Sequence, residues 1–308
     1  YVEEHKVLGE NRKMGSVAPR ATTFLMNIIK FLFKERIELA IFFTAFLVEI
    51  AFGLYLVYVW GSTYVLEQIF QGDMVSHLYL PKTVVDNGAY SSLANLGTVW
   101  LPLFHVLLMP LVWIDSLYRT GLAETIVNAF MIGGISLLVY RFMGERKLGI
   151  IASVLFMVNL FTIVFGATGT MEPTGTFFLL LSVYFFKLYW EKNDLREFIK
   201  CSLALIFGTL ARYEVWVVAF LVAFFFTLRE VRNKQSYRLA YAQMPFWGVF
   251  AWLFWNLAIF RDPLMFIHHP LSTQAQASRV STIYTGSIWL TTNFTIQMLF
   301  TISGPLWV

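Results

Sequence analysis

Apolar runs long enough to cross a bilayer recur along almost the whole chain, and they restrict its fold more than any other feature. A helix needs roughly 17–25 mainly apolar residues to span the hydrocarbon core. Such runs lie at about 38–60, 120–140, 149–168, 172–190, 243–261 and 288–308. One further apolar stretch, 198–228, is too long for an ordinary span and carries Arg212, Tyr213 and Glu214 at its centre. Burying that triplet at the midplane of a single helix is expensive, so the stretch reads as two short spans turning at 212–214. The expected fold is all-α, a polytopic transmembrane helical bundle of about eight spans. Composition agrees: 58% of residues are hydrophobic and 14% charged, against roughly 45–50% and 25% in soluble domains.

The chain of 308 residues begins at Tyr1 and ends at Val308 inside an apolar run, and reads as part of a longer protein. Its single cysteine, Cys201, excludes an internal disulfide and a cysteine-based metal cluster. Some forty residues of mixed charge precede the first apolar run, which is not the pattern of a cleavable signal peptide. The net charge of +4 invites a nucleic-acid reading. That reading fails, because the basic residues sit in membrane-flanking loops, where orientation explains them.

Lys and Arg set the orientation. Residues 1–37, 141–149, 187–200 and 229–238 hold 18 of the 23 basic residues, and the others are Lys82, Arg119, Arg212, Arg261 and Arg279. The positive-inside rule puts those four segments in the cytoplasm. Residues 1–37 then form a cytoplasmic N-terminal segment whose amphipathic stretch, 23–36, lies along the inner surface, and 38–308 form one membrane domain. The outer face receives the long first loop (61–119), the turn at 167–173 and the loop at 262–287, with 212–214 opening to the same side. Within the first loop, 101–114 (LPLFHVLLMPLVWI) is apolar but only fourteen residues long and contains Pro102 and Pro110. It reads as an interfacial helix.

Four clusters on that face carry chemistry. Asp73 and His77 are four residues apart, so on a helix they share a face as a base with its partner or as two metal ligands. Asp73 also suits the N-cap of a helix over 74–86. Glu172 precedes Pro173 at a helix start, which a dipole argument covers, yet Thr168, Thr170 and Thr174 beside it point to a hydrophilic pocket. Arg212 suits a phosphate and Tyr213 a sugar or isoprenoid, while Arg212 and Glu214 equally make a self-neutralising pair. Residues 261–279 contain His268 and His269 and read as a flexible loop over a site. The candidate substrate-binding set is thus His77, Lys82, Arg212, Tyr213, Glu214, His268 and His269, with Asp73 and Glu172 as catalytic candidates. No Walker motif, nucleotide-binding glycine fingerprint or nucleophile elbow occurs, which argues against an ATP-driven pump or a nucleotide-sugar enzyme.

In order, the chain shows Asp73, GTVWLPLFHVLLMP, TGLAETIVN, TMEP, ARYEVW and DPLMF. This succession over about 38–287 resembles the C-type superfamily of membrane glycosyltransferases, and within it the prokaryotic family-39-like members related to protein O-mannosyltransferases and aminoarabinose transferases. The resemblance implies a polyprenyl-phosphate sugar donor and a lipid, glycan or protein acceptor at the outer face of a prokaryotic plasma membrane. It implies inverting transfer with Asp73 as the acid at the catalytic centre, Glu172 as a second acid and Arg212 serving the donor phosphate. Several relatives pair two acids in the first loop, whereas Met74 follows Asp73 here. A divalent metal stays an open possibility, with Asp73, Glu172 and His77 as its ligands. Two rivals stand beside this reading. A transporter would use the acids Glu38, Glu49, Glu124 and Glu214 for coupling, and a non-catalytic subunit would tolerate loss of Asp73.

Overall fold

The structure, a computed structural model, describes residues 35–66, 74–87, 94–270, 272 and 289. Asp73 lies outside them, as do residues 23–34 of the expected amphipathic segment and nearly all of the expected span 288–308. Chain contacts define two compact units, residues 1–40 and 41–308. Of the first, only 35–40 are described, the opening of helix α1 (Arg36–Trp60).

In the second unit every described regular element is a helix. After α1 comes a 3-10 turn (Thr63–Leu66), then α2 (Met74–Asn87), α3 (Leu103–Val112) and α4 (Asp115–Thr120). The central helix is α5 (Leu122–Met143), followed by α6 (Arg146–Met157) and α7 (Leu160–Ala167). Helices α8 (Glu172–Lys192), α9 (Leu195–Thr209) and α10 (Glu214–Arg232) lead into a 3-10 segment (Ser236–Phe246), α11 (Trp247–Phe260) and the short α12 (Met265–His268). Among the described residues α1 and α5 are long and apolar enough to cross a membrane, and α6 with α7 would add a third if that bent pair is one span.

The expected single run 149–168 departs most from its reading. It breaks into α6 and α7, bent by 61°. The cause is Asn159, which leaves helical geometry at ψ 128° and accepts the Phe161 N–H with its side chain at 2.9 Å. An Asn in that role starts a new helix rather than continuing the old one. The stretch 198–228 is broken, as expected, between α9 and α10. The segment 101–114 holds α3, ten residues with Pro110 inside, and its Phe104, Leu108 and Val112 are buried. Residues 243–261 open as a 3-10 segment up to Phe246 and become α-helical only from Trp247, past Pro245.

Helix α5 organises the packing, touching α6, α7 and α8. It is buried nearly all round, the pattern of a helix enclosed by others. Its polar residues serve the chain turn between α7 and α8. The Asn128 amide donates to the carbonyls of Phe165, Thr168 and Thr170 at 3.2, 2.7 and 2.9 Å, and the Thr125 hydroxyl donates to the Ala167 carbonyl at 2.9 Å. The next turn is closed by local chemistry: Asn193 caps α8 in the left-handed conformation (φ 54°), and Asp194 caps α9 by accepting the Arg196 N–H. Along α10, Val217, Phe220, Leu221, Phe224, Phe225 and Leu228 make an exposed apolar stripe at helical spacing. Water would not tolerate so long an apolar face, whereas lipid does. With α1 and α5 this is consistent with an integral membrane protein.

Asn128 is therefore the main clasp on the α7–α8 turn. Removing it takes a donor from three carbonyls. Phe165 keeps the Thr170 hydroxyl at 3.3 Å, whereas the buried Thr168 carbonyl loses its Asn128 bond, and a buried polar group left unpaired costs roughly 1–3 kcal/mol. Asn128→Ala is expected to melt at a clearly lower temperature in detergent; an unchanged melting temperature would show that the turn holds without it.

Candidate functional site

The break between α9 and α10 is where the site forms. The chain leaves helix at Leu210, and its polar groups are taken up by neighbours. The Leu103 N–H donates to the Leu210 carbonyl at 3.0 Å, fastening the start of α3 to the break. The Trp216 indole N–H donates to the Thr209 carbonyl at 2.8 Å, and the Tyr213 hydroxyl donates to the Val99 carbonyl at 2.9 Å. Around this break opens a cleft of about 770 Å³. Its walls come from Val99, Trp100 and Leu101, from Met171, from residues 211–214 and Trp216, and from Phe266, Ile267 and Ser272. These are parts of the four segments that charge counting had assigned to one side of the membrane, and they meet in one place.

Arg212 is the cation lining this cleft. Its Nη1 donates to Glu172 Oε1 at 2.9 Å, while Nη2 and Nε donate to the two oxygens of Glu214 at 2.8 and 3.2 Å. Glu172 stands at the start of α8 beside Pro173, as expected of an acid in a first helical turn. Burial disfavours the Arg212 charge, but its hydrogen bonds to Glu214 and the fields of both acids outweigh it and hold the pKa above its ordinary value. For Glu214 burial pushes the pKa up, and the Arg212 hydrogen bonds and charge win, leaving it below the usual carboxylate range. The stem of Arg212 reaches Glu172 by passing over Gly175, where a Cβ would lie 2.1 Å from Arg212 Cγ. Only glycine permits that approach.

Aromatic rings make the other walls. Tyr213 stacks on Phe266 with centroids 5.2 Å apart and planes at 18°, and Trp216 meets Phe266 edge-on. Phe266 is held there by the turn before it. Asp262 accepts the Leu264 N–H at 2.9 Å and faces His268 Nδ1 at 2.6 Å, and the His268 contact lowers the Asp262 pKa. His268 thus braces the strap that carries Phe266. The exposed His268 and the half-buried His269 stay outside the cleft.

His77 and Lys82 also have structural partners. His77 is 5% exposed and His105 fully buried. Their Nδ1 and Nε2 atoms are 2.9 Å apart, and His105 Nδ1 lies 3.0 Å from the Leu96 carbonyl. That carbonyl can only accept, so neutral His105 carries its proton on Nδ1 and accepts on Nε2 from His77. His77 packs edge-on against Trp100, which lines the cleft, so the pair lies one ring behind the wall. Lys82 donates to Asp115 at 2.8 Å, pairs with Asp86 at 3.1 Å and lies over the Tyr118 ring, tying α2 to α4. The Asp115 hydrogen bond raises the Lys82 pKa and lowers that of Asp115. Among the described residues no three His, Cys, Asp or Glu side chains cluster to hold a metal ion.

Of the expected site residues, then, Arg212, Tyr213 and Glu214 line the cleft, Glu172 is joined to it through Arg212, and Asp73 lies outside the described residues. Trp100, Trp216 and Phe266 had not been singled out. They lie within GTVW, EVW and DPLMF, beside polar turns, but 18% of this chain is aromatic and that signal is weak.

Burial pushes the pKa of His77 down to about 3 and of His105 to about 4, from an ordinary value near 6.5. A depressed folded pKa gives stability that is whole above the unfolded value and lost as pH falls toward the folded one. The melting temperature is expected to fall between about pH 6.5 and pH 4, and His77→Gln is expected to flatten that slope; an equally steep slope in the variant would place the titration elsewhere. No protein-family model, no curated protein and no solved structure matches the chain.

Proposed function

We propose that the chain is a membrane glycosyltransferase moving a sugar from a polyprenyl-phosphate carrier to an acceptor at the outer face of the membrane. The observation that carries the reading is Arg212, a guanidinium in the wall of a cleft otherwise lined largely by aromatic and aliphatic side chains. A prenyl-phosphate sugar has this pattern of charge and apolar surface. Arginine suits phosphate because its fork matches two oxygens, and aromatic faces suit a sugar ring or an isoprenoid.

In the proposed reaction Asp73 takes the proton of the acceptor hydroxyl or amine. The freed lone pair attacks the anomeric carbon from the face opposite the phosphate. The bond from that carbon to the phosphate oxygen breaks with inversion, and its electron pair leaves on the polyprenyl phosphate. Arg212 stabilises the charge that builds there. Glu172 orients Arg212. The carrier phosphate is already a leaving group, so no ATP is required. The proposed frame has about eight spans, with 18 of 23 basic residues on the cytoplasmic side. The buried acids Glu49 and Glu124 belong to the rival reading, coupled transport.

Three measurements test this. Asp73→Asn keeps a helix-capping side chain but loses the base. Transfer from a polyprenyl-phosphate sugar by purified protein is expected to fall about 10²–10⁴-fold. Near-normal turnover would defeat the role of Asp73, and ion flux in vesicles without any transfer would favour the rival. Arg212→Ala is expected to lower kcat as well as raise the KM for the donor, since the leaving phosphate loses its cation in the transition state. The native Cys201 is buried, so single introduced cysteines report topology. Ser116→Cys is expected to react with an impermeant reagent from outside and Ser236→Cys not to, and the reverse pattern would overturn the orientation.

A further inference from the structure

The donor reading leaves Arg212 with both edges of its guanidinium already taken by carboxylates. Glu172 holds Nη1, and Glu214 holds the Nε–Nη2 edge with both oxygens. One positive charge facing two negative ones makes a net negative cluster, which repels an incoming anion. A phosphate therefore has to replace one of the acids. We infer that Glu214 is a resident stand-in for the donor phosphate: its carboxylate occupies the paired N–H edge of Arg212 and yields that edge to the anionic headgroup.

The geometry chooses Glu214 over Glu172. The Glu214 side chain is 70% exposed and that of Glu172 is 42% exposed, so Glu214 has solvent to swing into. Glu214 is also the first residue of α10, and a displaced carboxylate there keeps the favourable field of the helix N-terminus. Glu172 meanwhile stays on Nη1 and keeps the guanidinium oriented. The edge that Glu214 releases has two parallel N–H groups, the arrangement a phosphate binds with two oxygens. Glu214 is thus a positioning and selectivity residue: it keeps the arginine aligned and makes weak anions compete with a tethered carboxylate. This rests on the donor reading, and the experiment separates the two.

Full-length protein in detergent is titrated calorimetrically with farnesyl phosphate, with farnesol and with inorganic phosphate. Wild type is expected to bind farnesyl phosphate far more tightly than either of the others. Glu214→Gln, which keeps the shape but not the charge, is expected to tighten farnesyl phosphate about two- to fivefold, the scale of releasing one well-aligned surface ion pair. Farnesol affinity is expected to stay the same, and the gain to vanish in the Arg212→Ala background. Glu214→Ala serves as the second variant and is expected to act in the same direction, since a damaged site would bind more weakly. Unchanged or weaker farnesyl phosphate binding in both variants, with wild-type binding still dependent on Arg212, overturns the exchange and leaves the donor reading standing. Wild-type protein that does not distinguish farnesyl phosphate from farnesol overturns both. Farnesyl phosphate bound no more tightly than inorganic phosphate overturns the lipid headgroup as the natural occupant.

Discussion

Backbone that leaves a helix within or beside a membrane must find its hydrogen-bond partners in the protein, because lipid supplies none. The break between α9 and α10 meets this demand in a way that shapes everything near it. The Leu210 carbonyl takes the Leu103 N–H, the Thr209 carbonyl takes the Trp216 indole, and Tyr213 reaches the Val99 carbonyl. Two of these bonds bring residues 99–103 to the break, and the third closes the break on itself. The start of α3 and the strand of loop before it are fixed against the break, and Arg212 is left in the wall of the resulting cleft.

A second set of bonds delivers the acid that faces Arg212. Asn128 and Thr125 on the buried helix α5 hold the carbonyls of the α7–α8 turn, and that turn runs directly into Met171 and Glu172. The position of Glu172 is therefore set from the interior of the protein. The histidine pair does a similar task behind Trp100. His77 and His105, neutral and buried, pin α2 to α3 and support Trp100. Polar groups in this protein are costly to bury, and the described ones near the cleft act in concert to hold loops where helices would otherwise have ended freely.

The outcome is a cleft with charge concentrated on one guanidinium and its two acids and with rings on the remaining sides. An ion pathway asks for a continuous polar lining; this cleft offers a short polar patch beside Tyr213, Trp216 and Phe266. The aromatic strap is set by Asp262 and His268 rather than by the apolar residues themselves.

Much of this could be read from the residues in order. The length of apolar runs settled the all-helical class, and the charged triplet at 212–214 foretold the break in 198–228, because burying those charges inside one span is too costly. Pro110 and the shortness of 101–114 foretold α3. Asn159 was legible in principle as a helix cap, yet a single polar residue in an apolar run reads equally well as a tolerated guest. Whether it accepts N–H groups two and three residues on depends on its rotamer. The site divides the same way. Arg212, Tyr213 and Glu214 announced themselves as charge and aromatic where lipid should be. That His77 would turn to His105, Lys82 to Asp115 and Phe266 to Tyr213 follows from contacts between residues 28, 33 and 53 positions apart. Local periodicity carries no information at such distances; only the closing of the helices on one another decides it.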